Sequence, residues 1–435
     1  MDSTQAITNS EDGRTNDLPG EWSLVLLSKV ATLSKKPRDL DPSSYEEIAF
    51  VPMDLIPDAQ LYLQTWDIRS ASEVKSGVYF TEGDLLLAKI TPCLENGKQG
   101  IARGIPNGWG FATTEVFPIH ATDIDSEFLA FYLNLPSVRR FLASRMEGST
   151  GRQRLPRSVI ENLSISLPEI EEQRAIAGVL RAVQQSKEVS EKVITGTREL
   201  KRSLLRRLFT RGTVVLGEEA NVQFVETEIG SIPADWQTVR LDNVARVGSG
   251  GTPDRSRPEY WGGAIPWIKT GEINYRVITR AGEHITELGL RLSAARIVKR
   301  GTILMAMYGQ GVTRGRVAIL GMDAAINQAC AAIEASDQIN PHFLYHWLTY
   351  QYEEIRALAH GANQKNLNAG MIKQLKIPLP PDEEQQRIAQ ALDVVDRKLW
   401  AELERRQALT QVFESLLDEL MAGKLRVAAE EATHA

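Results

Sequence analysis

Candidate catalytic motifs are incomplete throughout the sequence. Gly248–Pro253 and Gly309–Arg314 are rich in glycine, but each carries another residue where the third glycine of a dinucleotide-binding loop belongs. His342 and His346 have the spacing of two zinc ligands on one helix face, yet no nearby Cys, Asp or third His completes a site. We therefore interpret the glycine-rich segments as turns and the two histidines as helix-packing residues.

Nucleophilic and redox chemistry are equally poorly represented. The sequence has no Gly-x-x-x-x-Gly-Lys-Ser/Thr phosphate loop and no Ser, Cys and His spacing typical of a nucleophilic site. Cys93 and Cys330 are too far apart in the chain to indicate a disulfide framework or a cysteine-rich metal site. The sequence therefore predicts a protein without catalytic activity. An enzyme with an unfamiliar site is the alternative.

Length and composition indicate a globular protein of several domains. The chain has 435 residues, of which 43% are hydrophobic and 24% are charged, and at roughly 150 residues per domain this length suggests about three domains. No run of about 18 apolar residues is present to form a membrane-spanning helix. The polar stretch from Met1 to Pro19 does not resemble a signal peptide. We expect a cytoplasmic protein.

Positive charge is concentrated in two segments although the chain as a whole is acidic. The net charge is −6, but Trp236–Arg316 contains thirteen basic and six acidic residues, and Arg139–Arg157 contains six basic and one acidic. Phosphate binding depends on the local field of one surface rather than on the charge of the whole chain. The overall charge therefore does not exclude a nucleic-acid partner.

An internal repeat with an offset of 212 residues organises the chain. Leu167–Ala177 matches Leu379–Ala389, and the same offset aligns a Ser-Leu-Leu triplet that begins at Ser203 with one that begins at Ser415. This ungapped alignment extends over more than fifty residues, and two such repeats would account for nearly the whole chain. The sequence therefore predicts a tandem duplication.

Each repeat contains a mixed module followed by a long helix. The modules combine short strand-like runs such as Gly301–Tyr308 with helical segments such as Pro341–Gln351, which predicts an α/β (α+β) fold. The segments after Leu167 and Leu379 then run about 40 residues without an internal proline and begin with acidic residues, as helices do. The predicted boundaries are a flexible tail (1–17), a first module (18–167), a central helix (168–211), a linker (212–231), a second module (232–379), a C-terminal helix (380–424) and a second flexible tail (425–435).

The two predicted helices have apolar residues at coiled-coil spacing and opposite charge. Residues 168–211 carry a balance of +4 and residues 380–423 a balance of −5. Opposite charges beside an apolar seam favour pairing of unlike helices, so we expect an antiparallel pair that acts as a spacer of roughly 60 Å between the modules. The alternative is that each helix packs against its own module. The predicted seam residues are Ile176, Leu180, Val183, Ile194, Leu204, Leu208, Ile388, Leu392, Val395, Leu399, Phe413, Leu416 and Leu420.

This order of elements resembles the specificity (S) subunit of bacterial type I restriction-modification systems. That family is built as a target-recognition domain, a conserved helix, a second target-recognition domain and a second conserved helix. The resemblance covers essentially the whole chain after about residue 17. It is carried by the helix openings Pro168–Ala177 and Pro380–Ala389, the strand segments Gly83–Ala88 and Gly301–Ala306, and the segments Leu18–Trp22 and Ile232–Trp236 that lead into the modules.

The resemblance implies a non-catalytic subunit that reads an asymmetric, bipartite DNA site, one half with each target-recognition domain. The helices would set the gap between the half-sites and dock two adenine methyltransferase (M) subunits, which use S-adenosylmethionine. Restriction and translocase (R) subunits, which need ATP and Mg²⁺, would allow the assembly to restrict unmethylated DNA. The resemblance implies no cofactor bound by this chain directly and no membrane partner.

Several loop residues have the chemistry that reading double-stranded DNA requires. Arginine and lysine suit guanine, asparagine and glutamine suit adenine, and other basic or hydroxyl groups suit phosphates. A plain surface role explains any single one equally well, so only their clustering is informative. The predicted DNA-binding residues are Lys89, Thr91, Asn96, Lys98, Arg152, Gln153 and Arg154 in the first module, and Thr252, Arg255, Lys269, Tyr308, Gln310, Thr313, Arg314, Arg316, Asn363, Gln364, Lys365 and Asn366 in the second.

Two other functions are compatible with these features. A stand-alone DNA-binding regulator would bind its site tightly without any methyltransferase. A coiled-coil scaffold whose modules bind protein would show no salt-dependent affinity for DNA, whereas phosphate contacts make affinity fall steeply with salt.

Overall fold

The computed structural model describes residues 21–58, 60–149, 151–213, 223–309, 311–360 and 366–427. They form two compact units, unit 1 within residues 1–192 and 404–435, and unit 2 within residues 193–403. Each unit combines one module with part of both long helices. The predicted tail 1–17 lies outside the described residues, as do parts of the predicted linker and of the second tail.

Unit 1 has a mixed α and β module followed by the first long helix, which continues into unit 2. Its strands are β1 (Ser23–Leu26), β2 (Ala31–Leu33), β3 (Ile48–Val51), β4 (Asp67–Arg69), β5 (Val78–Thr81), β6 (Leu85–Ala88), β7 (Gln99–Ile101), β8 (Trp109–Ala112), β9 (Val116–Ala121), β10 (Glu147–Ser149), β11 (Arg152–Arg154) and β12 (Ser164–Leu167). Its helices are α1 (Leu27–Val30), α2 (Ser126–Asn134), α3 (Pro136–Ser144), α4 (Arg157–Glu161) and α5 (Ile170–Arg211).

Unit 2 repeats the two sheets of this arrangement, and its long helix continues into unit 1. It adds one hairpin and one sheet strand, and its described residues contain no counterpart of the β10–β11 hairpin. Its strands are β13 (Phe224–Thr227), β14 (Gly230–Pro233), β15 (Gln237–Arg240), β16 (Ala245–Ser249), β17 (Trp261–Ile268), β18 (Val277–Ile278), β19 (Glu283–Ile285), β20 (Ile297–Val298), β21 (Ile303–Ala306), β22 (Val317–Leu320), β23 (Ala324–Ile326), β24 (Cys330–Ala335) and β25 (Lys376–Leu379). Its helices are α6 (Leu241–Val244), α7 (Glu287–Arg291), α8 (Pro341–Tyr350), α9 (Tyr352–Ala357), α10 (Ala369–Lys373) and α11 (Asp382–Met421).

The two modules share one sheet topology, which confirms the predicted α/β duplication. In unit 1 the strand orders are β2-β9-β6-β7 and β4-β3-β8-β5. In unit 2 the corresponding orders are β16-β24-β21-β22, extended by β18, and β19-β17-β23-β20. In both modules a first strand also pairs antiparallel with the strand that precedes the long helix, β1 with β12 and β15 with β25.

One interior strand of each module lies between two hydrophobic cores. Alternate side chains of a strand point to opposite faces of its sheet, and Leu85 and Leu87 of β6 join one core while Leu86 joins the other. Strand β21 does the same, with Ile303 and Met305 on one side and Leu304 on the other. This double burial explains why both strands read as unbroken apolar runs rather than alternating ones.

A Glu-Gln pair at the start of each long helix ties the helix to its module. Glu172 accepts a hydrogen bond from the indole of Trp22 (3.2 Å), and Gln173 accepts one from the backbone N–H of Asp125, the residue that caps α2 (2.8 Å). At the repeat-related positions, Glu384 accepts from the indole of Trp236 (2.9 Å). The repeated Glu-Gln therefore orients each module on its helix, besides placing negative charge at a helix start.

Gln385 repeats the second contact in unit 2. It accepts a hydrogen bond from the backbone N–H of Asn340 (2.8 Å), which in turn caps α8. Both Gln173 and Gln385 are buried, and both amides also donate to the carbonyl of a proline just before their helix. Because the oxygen and the nitrogen of each amide both have hydrogen-bond partners, these side chains can be buried with little loss of free energy.

Within each unit α5 and α11 run antiparallel. In unit 1, Glu191 pairs with Arg406 at 2.8 Å, and Glu172 near the start of α5 pairs with Arg426 beyond the end of α11 at 2.6 Å. In unit 2, Lys201 pairs with Asp396 at 2.5 Å, and the backbone N–H of Thr213 donates to Glu384 at the start of α11. The direction of both pairs agrees with the expectation from the complementary charges.

The predicted seam residues differ in burial, and the helices also pack against their own modules. Leu204 and Leu416 are only half-buried, whereas their neighbours Leu205 and Leu417 are buried. The helix core of unit 1 is continuous with that of its module, as is that of unit 2, so the two predicted packing modes occur together. The buried predicted seam residues are Ile176, Leu180, Ile194, Leu208, Ile388, Leu392, Val395, Phe413 and Leu420, and the half-buried ones are Val183, Leu204, Leu399 and Leu416.

Two segments predicted to be irregular contain defined structure. The predicted linker 212–231 includes strand β13 and the start of β14, a hairpin that closes with Gly230 at φ +99°, a conformation that glycine adopts without strain. The predicted tail 425–435 begins with a residue held in place, since Arg426 pairs with Glu21 as well as with Glu172. Neither segment has the apolar periodicity on which the prediction of helices and strands relied.

None of the helices in the described part of the chain combines the length and apolar character that a membrane crossing requires.

Candidate nucleic-acid interface

In unit 1 the structure brings most of the predicted DNA-binding residues together beyond the end of β6. Lys89 and Thr91 follow that strand, and the β10–β11 hairpin lies against them, because the backbone N–H of Thr91 donates to the carbonyl of Gln153 (3.0 Å) and that of Leu155 donates to the carbonyl of Lys89 (2.8 Å). The exposed hairpin turns with Gly151 at φ +83°. These two segments form a single surface, which we call the hairpin surface.

The basic residues of the hairpin surface differ in whether their charge is paired, partly buried or exposed to solvent. Arg154 makes a two-bond pair with Glu115 (2.7 and 2.8 Å), which holds the pKa of that carboxyl below its usual value. Lys89 lies 5.1 Å from the ring of Phe117, and burial lowers the pKa of its ammonium. Arg152 is exposed on the hairpin. Gln153 is half-buried between these two arginines. Of this group, Arg152 is the exposed basic residue that forms no ion pair with another described residue.

The ammonium of Lys98 is hydrogen-bonded to backbone carbonyls of its own module. It donates to the backbone carbonyls of Met53 (3.1 Å) and Ile56 (2.9 Å). These bonds use two of the three donors of the ammonium, which leaves one for a phosphate, and the DNA-binding role of Lys98 stays a prediction. Asn96 is exposed on the turn before it, and the hydroxyl of Thr91 donates to Glu95 (3.0 Å).

Unit 2 has one group of predicted residues around the end of β17. Arg255 and Lys269 both pair with Glu283, and their hydrogen bonds, that of Lys269 first, hold the pKa of its carboxyl below its usual value. The guanidinium of Arg255 also lies 3.7 Å from the ring of Trp261. Thr252 donates to the exposed Gln328. The positive charges of Arg255 and Lys269 are therefore both paired with the carboxylate of Glu283.

The second group in unit 2 lies on the loop after β21. Tyr308 is exposed, with 42% of its side chain open to solvent, whereas Thr313, Arg314 and Arg316 are half-buried. The loop is held by α9, since Tyr352 donates to the carbonyl of Val312 (2.5 Å). We call residues 307–309, 311–316 and 366 the loop surface.

The loop surface of unit 2 corresponds to the hairpin surface of unit 1. The backbone N–H of Leu367 donates to the carbonyl of Met307 (3.0 Å), as Leu155 does to Lys89 in unit 1. Asn366 beside it is exposed. The predicted residues Gln310, Asn363, Gln364 and Lys365 lie outside the described residues.

Sequence reasoning missed the acceptors that orient the basic residues. Glu115, Glu283 and Gln328 each bind a predicted DNA-binding residue. No local sequence signal identifies them, because each is separated from its partner by 14 residues or more and meets it only through the sheets.

The two histidines of α8 share a carboxylate. The side chains of His342 and His346 both lie 2.8 Å from Asp393 of α11, and no group of three or more metal-ligating side chains occurs among the described residues. Asp393 was not recognised in the sequence because it is 47 residues from His346. The histidines pack between module and helix, as the sequence predicts.

Comparison with known proteins gives this architecture a family. The model of the type I restriction modification DNA specificity domain matches residues 19–195 and, a second time, residues 233–411. The chain belongs to this family. Both matches contain one module together with the start of the long helix that follows it.

Specificity-domain relatives come from bacteria and archaea. The chain is 37% identical over 173 residues to the specificity subunit of the type I restriction enzyme EcoEI of Escherichia coli, which is 39% of this chain and 29% of that protein. It is 32% identical over 244 residues to the EcoAI specificity subunit of the same species, or 55% and 37%. The chain thus spans about a third of the length of these two relatives.

A longer alignment and a solved structure cover more of the chain. The putative MjaX specificity subunit of Methanocaldococcus jannaschii is 25% identical over 353 residues, 79% of each chain. The crystal structure of a type I restriction-modification S subunit from M. genitalium superposes with a TM-score of 0.65 at 15% identity, covering 93% of this chain and 97% of that one. At 15% identity, this structural match is evidence for the fold alone.

Proposed function

We propose that this chain is the DNA specificity subunit of a type I restriction-modification assembly and has no catalytic activity itself. Each module reads one half of a bipartite target in double-stranded DNA. One observation supports this proposal most directly. The two modules share one topology, yet the polar residues at equivalent positions differ between the hairpin surface of unit 1 and the loop surface of unit 2.

The proposed target is asymmetric because the two surfaces differ in chemistry. The hairpin surface offers the exposed Arg152, which suits guanine or a phosphate. The loop surface offers Tyr308 and Asn366, of which the amide suits adenine. Identical half-sites would not be read by such different side chains.

The proposed partners are two adenine methyltransferase subunits, docked on the long helices, and restriction or translocase subunits. S-adenosylmethionine would be used by the methyltransferase, and ATP with Mg²⁺ by the restriction subunits. A duplicated docking surface is supported by the repeat, because α5 and α11 form an antiparallel pair in each unit. Two similar surfaces suit two copies of one partner.

The test compares the chain alone and the chain with its methyltransferase subunit on DNA fragments that carry the site identified by methylome sequencing. We expect weak binding alone and much tighter, salt-dependent binding in the complex. Arg152→Ala should weaken specific binding by about 1–3 kcal/mol if the guanidinium contacts a base. If it contacts a phosphate instead, the salt slope should fall by about one.

The matched control is Arg174→Ala, which removes an exposed arginine of α5 outside the modules and should leave DNA binding by the chain alone unchanged. Equally tight sequence-specific binding without the methyltransferase would support a stand-alone regulator. Affinity that does not respond to salt would support a protein-binding scaffold instead.

A further inference from the structure

The long helices line one groove in each unit, and the two grooves are related by the repeat. The groove of unit 2, with a volume of about 700 Å³, lies between α5, α11 and the module segments 274–276 and 349–353. The groove of unit 1, about 590 Å³, lies between the same two helices and its own module. Helix positions 212 residues apart line both grooves, such as Arg202 with Glu414 and Arg206 with Asp418.

The groove of unit 2 has an apolar floor and a basic rim. Leu399, Trp400 and Leu403 contribute the floor from successive turns of α11, and all three are half-buried. The rim carries the guanidinium groups of Arg198, Arg202, Arg206 and Arg276. None of these four arginines forms an ion pair within the described part of the chain. Their charge is therefore available to a ligand.

The groove of unit 1 has different chemistry at the repeat-related positions. Lys187, Glu188 and Glu191 occupy the places of the three apolar floor residues of unit 2. Glu414 and Asp418 occupy the places of two rim arginines. The same backbone frame therefore presents an apolar, basic groove in one unit and a charged groove with acidic rim positions in the other.

We propose that the groove of unit 2 binds an acidic amphipathic segment of a partner protein and that the groove of unit 1 binds the same segment more weakly. This rests on the proposed function, in which that partner is the methyltransferase subunit and two identical copies meet the two grooves. The first copy then occupies unit 2.

The apolar floor favours a protein segment over nucleic acid. An amphipathic helix places apolar side chains on one face and carboxylates beside them, which matches Leu399, Trp400 and Leu403 under a rim of arginines. A DNA backbone would neutralise the arginines but leave both leucines exposed to water. Carboxylates of the same segment would meet Glu414 and Asp418 in unit 1, and like charges across an interface weaken binding.

Titration of the full chain with the purified methyltransferase subunit of the same system tests this proposal. Calorimetry and native mass spectrometry should resolve two steps that differ at least about tenfold in affinity. Arg202→Glu with Arg206→Glu should weaken the tighter step by about tenfold or more. The matched change in unit 1, Glu414→Arg with Asp418→Arg, should strengthen the weaker step and bring the two steps together.

Trp400→Ala provides a neutral variant that removes floor area without changing charge, and it should weaken the tighter step alone. Two equal steps for the wild type, or steps that these variants leave unchanged, would overturn the inference and leave the proposed function intact. No binding of the methyltransferase at all would overturn both.

Two further outcomes identify a different occupant of the groove. If Arg202→Glu with Arg206→Glu weakens DNA binding by the chain alone as much as it weakens the first methyltransferase step, the groove is a nucleic-acid surface and the inference is wrong. If the chain alone self-associates and these changes abolish it, the occupant is a second copy of the chain, and the inference is also wrong. Unchanged melting of each variant shows that the fold is retained.

Discussion

The two units fill the contact between α2 or α8 and the long helices with different chemistry. In unit 1, the rings of Phe131 and Phe413 lie 6.0 Å apart, and Gln184 lines the same small cavity. In unit 2, the residues at the corresponding positions are titratable. His346 is fully buried, and Lys201 pairs with Asp396, whose side chain is 1% exposed.

A neighbouring pair reverses its polarity between the units. Arg181 of α5 pairs with Glu127 of α2 in unit 1, at 2.5 Å. At the related positions of unit 2, Asp393 of α11 pairs with His342 of α8, at 2.8 Å. The acid thus moves from the module to the helix while the geometry of the contact is kept.

The comparison shows that the same backbone arrangement forms whether the contact between module and long helices is aromatic, as in unit 1, or ionic, as in unit 2. Burying an ion pair contributes little net stability, because desolvation of the charges offsets their attraction. Removal of one partner has a larger effect than loss of the whole pair, because it leaves the other charge buried and uncompensated.

The largest expected effect comes from breaking this ionic contact. Lys201→Met leaves the buried Asp396 without a counter-charge, which should lower the free energy of unfolding of unit 2 by about 3–5 kcal/mol. Replacing Lys201, Asp396 and His346 together by the Phe, Gln and Phe of unit 1 should restore most of that loss. Hydrogen exchange of the full chain, resolved by unit, measures both.

An equal loss of stability in the single and the triple variant would contradict this comparison. It would mean that the interior of unit 2 requires its charges and that the frame of unit 1 cannot substitute for it.

The sequence predicted the frame of the molecule well and its interior charges poorly. Helical periodicity and the repeat identified the long helices, because an apolar stripe is a local signal. The role of Lys201 could not be predicted, since its partner Asp396 is 195 residues away and a helix lysine is usually solvated.

The register of the apolar seam was also only partly predictable. The apolar spacing predicts Leu204 and Leu416 as seam residues, but they are half-buried, whereas the adjacent Leu205 and Leu417 are buried. Which of two neighbours faces inward depends on the rotation of the helix against its module, and periodicity alone leaves that rotation uncertain by a residue.

In the modules, the loops that carry polar residues could be identified, but not the free charges among them. Lys98 and Arg154 look alike in the sequence, yet one binds backbone carbonyls and the other binds Glu115. These partners are brought close only by the fold.

A pair of repeat-related leucines tests whether the apolar part of the frame is equivalent in the two units. Leu180 and Leu392 are each fully buried in their own unit. Leu180→Ala and Leu392→Ala should each lower the free energy of unfolding of that unit by about 2–5 kcal/mol, because each leaves a cavity. Leu200→Ala, at an exposed position of α5, should change it by less than about 0.5 kcal/mol.

Unit-resolved hydrogen exchange again separates the two effects. A loss that appears in both units after one substitution would show that the units unfold together, and the comparison between them would then have to be made on binding rather than on stability.

The smallest expected effect is a pH dependence confined to unit 2. Burial lowers the pKa of His346, so the unfolded chain takes up a proton more readily, and stability falls as pH drops below about 6.5. The hydrogen bond to Asp393 raises the pKa of His342, so its contribution is complete below about 6.5 and is lost as pH rises through the raised value. Two opposite slopes should give unit 2 a stability maximum near pH 6.5.

Single substitutions separate the two slopes. His346→Phe should remove the acid-side fall, and His342→Gln the alkaline-side fall. Asp393 does not titrate in this pH range. Burial opposes its ionisation, but the hydrogen bonds from both histidines outweigh burial and hold its pKa well below the usual range. Phe131 and Glu127 stand at the related positions of unit 1, so neither slope should appear there, and a matching maximum in unit 1 would contradict the assignment to these two histidines.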